Sequence, residues 1–270
     1  MDPDARIESV ATPVVDSTPR RSRLRLPLPH RRSPRVDKHA EMTLTGHLLE
    51  LRNRVFIAAF SLLPGTIVGY LFSDRLIEIL TAPLPAGAKP LHALGITELF
   101  MIHLEVAVTA GIILAMPVIL YQLWAYISPG LSPSERAAAR PWVPAALVFF
   151  ALGVGVAYFI LPYATGFLFG FQSDQIKLLL TAESYFGFVT TLFIAFGLVM
   201  EFPIVLVLLS KVGIVTSKRL RSSRRMAILG ITIFSTLVTP GADFVSPIVM
   251  AVVMYGLYEV SIVIIRMGGR

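Results

Sequence analysis

Six long apolar runs limit what this chain can fold into more than any other feature. They fall at about 55–72, 99–126, 142–163, 185–209, 226–239 and 248–265, separated by short polar stretches. A run near 20 residues, wound at ~1.5 Å per residue, matches the ~30 Å hydrocarbon core of a bilayer. The polar side has too little material for a water-facing surface: 55% of residues are hydrophobic, 15% are charged, and mean hydropathy is +0.72. The expected class is all-α, a polytopic membrane protein of six transmembrane helices. Pro64-Gly65 predicts a kink in the first run, and Pro117, Pro144 and Pro203 fall in or near the second, third and fourth; neighbouring helices can satisfy the carbonyls that proline frees. The fifth run, 14 residues or ~21 Å, is short for a span. Either it thins the bilayer or its ends lie a few residues further out. No internal repeat is visible, which weighs against inverted-repeat transporters.

The net charge of +7 is explained by topology. Of 24 Lys and Arg residues, 21 fall in the N-terminal region to Arg54, the loops after runs two and four, and the C-terminal end. The opposite side has only Arg75, Lys89 and Lys177. Basic residues stay cytoplasmic, so both termini are expected inside, and no nucleic acid is needed as a partner. Residues 1–40, rich in proline and holding Arg20-Arg21-Ser22-Arg23-Leu24-Arg25, lack an apolar stretch and are expected to be a disordered basic cytoplasmic tail on an anionic leaflet. Arg20-Arg21 is not followed by the apolar region that an export signal needs. The membrane domain is expected over 41–266, with 267–270 as a cytoplasmic end.

From Thr43, Leu44, Leu48, Leu51 and Val55 share one face of an amphipathic helix that runs on into lipid, and His47, Glu50 and Arg54 share its flank. Glu201 lies deepest among acids inside the runs. It precedes Phe202-Pro203, whose proline breaks a helical hydrogen bond, so a polar patch facing protein or water is expected there. The plainer alternative is a hydrogen bond to a neighbouring helix. Glu105 and Glu259 are weaker candidates of the same kind. Glu50 and Glu135 both face the cytosol and suit fork-like pairing with guanidinium groups. Each also has an ordinary role open to it: an ion pair with Arg54 four residues on, and a capping box in Ser132-Pro133-Ser134-Glu135.

Enzyme chemistry finds no support. The chain has no cysteine, no phosphate-binding loop, no dinucleotide fingerprint, no HExxH and no GxSxG. Its five histidines are scattered, so neither a metal nor a cofactor is expected.

Gly46-His47-Leu48-Leu49-Glu50-Leu51-Arg52-Asn53-Arg54 resembles the N-terminal signature of the TatC family, the multispanning receptor of the twin-arginine protein translocase. The resemblance continues through 115–131 and Glu135-Arg136, and at Ser184-Tyr185, Glu201-Phe202-Pro203, 239–243 and 254–259. It implies six helices in a concave cup in a bacterial cell membrane, homo-oligomeric within a receptor complex, with TatA and TatB as single-span partners. It also implies proton-motive-force-driven export of folded precursors carrying twin-Arg signal peptides. By position, His47, Glu50, Arg52, Arg54, Tyr126, Pro129 and Glu135 match the signal-peptide site, Glu201 and Pro203 the intramembrane partner site, and Asp174 and Asp243 acidic positions on the extracytoplasmic side. Departures are Asp174 for a frequent glutamate, Tyr126 for a frequent phenylalanine and Glu105 for a frequent lysine. The rival reading is a proton- or ion-coupled solute transporter with Glu201 and Glu259 as relay carboxylates.

Overall fold

The computed structural model describes residues 44–85, 88–173, 179–211, 213–240 and 243–268. The expected N-terminal tail and Asp174 lie outside them. The order is α1 (Leu44–Leu71), α2 (Ser73–Thr81), α3 (Glu98–Ile127), a 3₁₀ turn (Ser128–Gly130), α4 (Pro133–Ala139), α5 (Trp142–Phe169), α6 (Ala182–Val199), α7 (Phe202–Lys211), α8 (Ser217–Ser222), α9 (Arg224–Val238) and α10 (Val245–Met267). Among the described residues five helical stretches are long and apolar enough to cross a membrane: Thr45–Leu71, Glu98–Gly130, Pro133–Phe169, Ala182–Lys211 and Val245–Met267. The class is therefore the expected one, a polytopic all-α membrane protein. At 15 residues α9 falls short of that length, so the fifth apolar run is short as a helix and not merely by its sequence boundaries.

The amphipathic helix runs on into the first apolar run as one helix, α1, continuous through Pro64. One boundary differs from expectation: the fourth run is two helices, broken at Met200-Glu201. There the Glu201 N–H bonds Leu198 O at 3.1 Å instead of the carbonyl four residues back, and Pro203 has no N–H to give Val199. Lys211 ends α7, and Gly213 then takes φ +82°, closing it with Ile214 N–H to Leu209 O at 3.0 Å.

The centre of the fold is α6–α7. In an apolar 18-residue stretch of its span 61% of residues are buried, against 11–39% in the other four, and Val189, Leu192, Phe196 and Val207 are among the enclosed side chains. Residues on α3, α5 and α10 pack around it, including Val106, Leu161, Met250 and Ile262. The outward faces carry Phe56, Phe60, Phe159 and Val252, as a helix surrounded by lipid requires. Between apolar helices in lipid no hydrophobic gain drives association, so close backbone approach must. Gly65 and Gly69 of α1 meet Gly111 and Ala107 of α3: a Cβ at Gly65 would stand 2.7 Å from Gly111 O, and one at Gly69 2.6 Å from Ala107 O. Gly153 and Gly197 do the same for α5 against α6.

Short polar ties close the ends. At the end holding the α3 N-terminus, His103 Nε2 meets Asp74 Oδ1 of α2 at 3.1 Å, the Tyr185 hydroxyl donates to Leu80 O at 2.6 Å, and the His92 backbone bonds Leu180 and Ala182. At the other end the Tyr258 hydroxyl donates to Leu220 O of α8 at 2.7 Å. α2, unexpected from sequence, lays Leu76, Ile77 and Leu80 on the core and leaves Asp74, Arg75 and Glu78 outside.

Gly111→Ala would put a Cβ 2.7 Å from the Thr66 backbone nitrogen, whereas Gly230 on α9 has open space around it. Thermal unfolding in detergent is expected to show Gly111→Ala destabilised by ~1–3 kcal/mol, an overpacking cost, with Gly230→Ala neutral or slightly stabilised.

Candidate functional site

Sequence places His47, Glu50 and Arg54 one helical turn apart, and the structure turns that flank toward the C-terminal end of α3. The His47 ring stacks on Tyr126, with centroids 4.4 Å apart and planes 12° off parallel. Arg54 bonds Glu50 Oε1 through Nε at 2.9 Å and Nη2 at 2.6 Å, and its Nη1 donates to Gln122 Oε1 of α3 at 3.2 Å. The expected ion pair therefore exists, but it is also a tie between two helices. The Glu50 side chain is only 18% exposed, and its Oε2 is buried without a hydrogen-bond partner among the described residues. A carboxylate oxygen left bare in this way is costly and is satisfied only by a further donor. Arg52 points away from this cluster, exposed on another face of α1.

Beyond Tyr126 the chain turns through Ser128–Gly130, exposing Pro129, and enters α4. Ser132 caps α4: its Oγ accepts from the Glu135 N–H at 3.3 Å, and Glu135 Oε2 accepts from the Ser132 N–H at 3.1 Å and Oγ at 2.9 Å. Arg136 Nε donates back to Ser128 O at 2.9 Å, fixing α4 to the turn. The capping role that sequence left open for Glu135 is thus occupied, and it sets where that carboxylate lies. A carboxylate offers about four acceptor positions, so capping and guanidinium pairing are compatible.

His47 contacts Tyr126, and Arg54 joins Glu50 to Gln122 one turn further along the same pair of helices; Pro129 and Glu135 continue the same end of the bundle through the turn and α4. Arg52, Arg54, Arg136, Arg140, Lys211, Arg224 and Arg266 belong to the helix ends that meet here or to their neighbours, while Arg75 and Lys89 lie toward the α2 end. Gln122 was not legible as a site residue, because nothing in the sequence says which α3 side chain faces Arg54.

Glu201 and Pro203 form a separate feature at the α6–α7 break. Pro203 is fully enclosed, and Glu201 is half-buried with Oε1 buried and unpartnered among the described residues. The neighbour-helix hydrogen bond expected as its plainer alternative is therefore absent for that oxygen. Glu105 does have such a bond, accepting from Thr190 Oγ1 of α6 at 2.6 Å. Glu259 departs from the relay reading: it is ion-paired with Arg224 of α9 at 2.6 Å and lies within 3.3 Å of the Tyr255 hydroxyl. A carboxylate tied to a guanidinium is a structural link between α9 and α10, not a bare proton carrier. Asp243 is 3% exposed and caps α10, its Oδ1 accepting from the Ser246 N–H at 2.6 Å, while its Oδ2 has no partner among the described residues.

Asp243→Ala removes that cap and is expected to lower stability in detergent by ~0.5–2 kcal/mol, with Asp243→Asn retaining most of it. Thermal unfolding checks the difference, and equal loss in both would assign the effect to charge instead of capping.

Comparison with known proteins agrees with these features. Residues 46–252 match the family described as Sec-independent protein translocase protein (TatC). The chain is similar to the TatC protein of Carboxydothermus hydrogenoformans, 37% identical over 226 residues that cover 83% of this chain and 93% of that protein. It is 32% identical to TatCy of Bacillus subtilis over 232 residues, 85% of this chain and 91% of that protein. A solved structure described as the twin arginine translocase receptor TatC superposes with a TM-score of 0.72 at 34% identity, over 81% of this chain and 99% of that one. With the fold, the stacked α1–α3 junction and the α6–α7 break on that same framework, the chain belongs to the TatC family.

Proposed function

We propose that this chain is the receptor and core subunit of a twin-arginine protein translocase, binding the paired arginines of precursor signal peptides at the cytoplasmic end of α1, α3 and α4. The observation that carries the reading is Glu50: a largely buried carboxylate whose second oxygen has no donor within the described chain. Its place one turn from His47, which stacks on Tyr126, with Glu135 held by its capping box further along the same end, suits two guanidinium groups arriving side by side. His47, Arg52, Arg54 and Pro129 shape and charge the surrounding surface. Arginine is demanded because its planar fork pairs bidentately with carboxylates, which an ammonium cannot do.

The same reading gives α9 as a sixth, short span and puts both termini in the cytoplasm, in agreement with the clustering of Lys and Arg at one end of the bundle. The membrane is the bacterial cell membrane. Glu201, beside the Pro203 break, meets polar side chains of the single-span subunits TatA and TatB, and several copies of the chain assemble in one receptor complex. Asp174 and Asp243 lie on the extracytoplasmic side. No nucleotide-binding pattern is present in the sequence, so the proton-motive force is the proposed energy source. The solute-transporter reading loses one of its two relay carboxylates, since Glu259 is engaged by Arg224.

Titration of a twin-Arg signal peptide onto the purified protein is expected to give binding about ten- to hundredfold weaker for Glu50→Gln and for Glu135→Gln, the size of one charge-assisted bond. A Lys-Lys peptide should bind the unaltered protein comparably weakly. Undiminished affinity in both variants would remove the mechanism.

A further inference from the structure

Between Tyr185 and Lys211 the central helices expose only three residues: Thr191, Leu198 and Val205. They are seven residues apart. Half-buried Gly187, Ile194, Glu201 and Leu208 alternate with them, and half-buried Phe188, Phe202 and Leu209 border the line. Steps of four and three residues make a period of 3.5, the seam that one helix offers another in left-handed packing. From Gly187 to Leu208 it runs ~32 Å, about the depth of the bilayer core.

Grooves lie on both sides of this seam. One of about 510 Å³ is bounded by α3, with Leu104, Glu105 and Val108 facing Thr191 and Ile194. The other, about 340 Å³, is bounded by α9 and α10, with Phe234 and Met254 facing Leu198 and Val205. Two carboxylates lie along it. Glu201 stands on the seam, one oxygen buried without a partner among the described residues. Glu105 reaches over from α3, and its Oε1 would lie 3.9 Å from a Cβ at Gly187. The single proton of the Thr190 hydroxyl has three acceptors within reach: Glu105 Oε1 at 2.6 Å, Phe186 O at 2.8 Å and Gly187 O at 3.3 Å. At this depth a carboxylate served by one shared proton is under-satisfied.

We propose that Glu105 and Glu201 are the two polar anchors of one docking line for a single transmembrane helix, whose own hydrogen-bond-donating side chains are spaced about three turns apart. The proposal rests on the reading that Glu201 meets a single-span partner, and adds a second anchor and the register between them. Thr190 and Glu201 are separated by about three helical turns, ~16 Å along the axis, so the partner carries amide, hydroxyl or ammonium groups ten or eleven residues apart. Lipid tails have no donor to give either carboxylate. A second copy of the chain, inserted in the same direction about a two-fold axis along the membrane normal, would bring like carboxylates together at equal depth.

The natural absence of cysteine makes disulfide mapping direct. Single cysteines at Thr191, Leu198 and Val205, and at the lipid-facing Val148 and Leu152 of α5 as controls, are oxidised in membranes holding TatA and TatB with one cysteine scanned along each span. All three seam positions are expected to crosslink to one partner helix, and the α5 positions to neither. Adding Glu105→Ala should reduce the yield at Thr191 about three- to tenfold, the effect of one interhelical hydrogen bond in a membrane, while sparing Val205; Glu105→Gln, which keeps an acceptor oxygen, should restore it. Thr190 retains Phe186 O as its acceptor, so unfolding in detergent should be unchanged. An undiminished Thr191 yield in Glu105→Ala overturns the second anchor and leaves the Glu201 reading standing. Loss of all crosslinks to the single-span subunits overturns both, and crosslinks between copies of this chain at these positions overturn the proposed occupant.

Discussion

A bilayer interior supplies no water, so every polar group that enters it must find its partner in protein. Most hydroxyls in the described spans do so locally. Ser61, Thr165, Ser235, Thr239 and Ser261 each donate to a carbonyl three or four residues back on their own helix. Tyr185 and Tyr258 reach across to backbone carbonyls of neighbouring elements. Among the described residues four buried side-chain oxygens lack a partner: one each on Glu50, Glu201 and Asp243, and the Ser246 hydroxyl. Three of the four belong to carboxylates, and carboxylates short of donors are suited to receiving cationic or hydrogen-bonding partners from outside.

Packing explains why these groups stay where they are. The α6–α7 span is enclosed by α3, α5 and α10, and glycines bring α1 onto α3 and α5 onto α6 at backbone contact. Helices so close cannot rotate or slide without steric clash, which fixes the depth of Glu105 and Glu201 and the facing of His47 onto Tyr126. Around that frame the polar ties sit at helix ends: the Ser132 capping box, Arg136 to Ser128, and Arg54 bridging Glu50 and Gln122. Frame and site are therefore separable. The glycine contacts set stability, while the carboxylates set what can be bound.

Much of this was legible in the sequence, for identifiable reasons. Long apolar runs announce spans because the bilayer imposes their length, and the Glu50–Arg54 pair and the Ser132 capping box follow from helical spacing alone. The α6–α7 break was visible only as Pro203, since a proline does not say whether a helix bends or divides. α2 was missed because nine amphipathic residues carry too weak a signal beside six apolar runs. Gly65-x-x-x-Gly69 is a readable close-packing pattern, but its partners Ala107 and Gly111 depend on which helices are neighbours. The Arg54–Gln122 bond, the His47–Tyr126 stack and the Arg224–Glu259 pair join residues far apart in the chain, and such pairings are products of the fold. The relay role once open to Glu259 failed on that last pairing.

The central claim is that an arginine pair is received where α1 meets the end of α3. A photoreactive residue at Tyr126, at Glu135 and, at the opposite end of the bundle, at the fully exposed Ile96 tests it in membranes supplied with a folded precursor. The account predicts adducts with the signal peptide from Tyr126 and Glu135, none from Ile96, and their disappearance when the paired arginines become lysines. Adducts equally strong from Ile96, or unaffected by the lysine exchange, would contradict it.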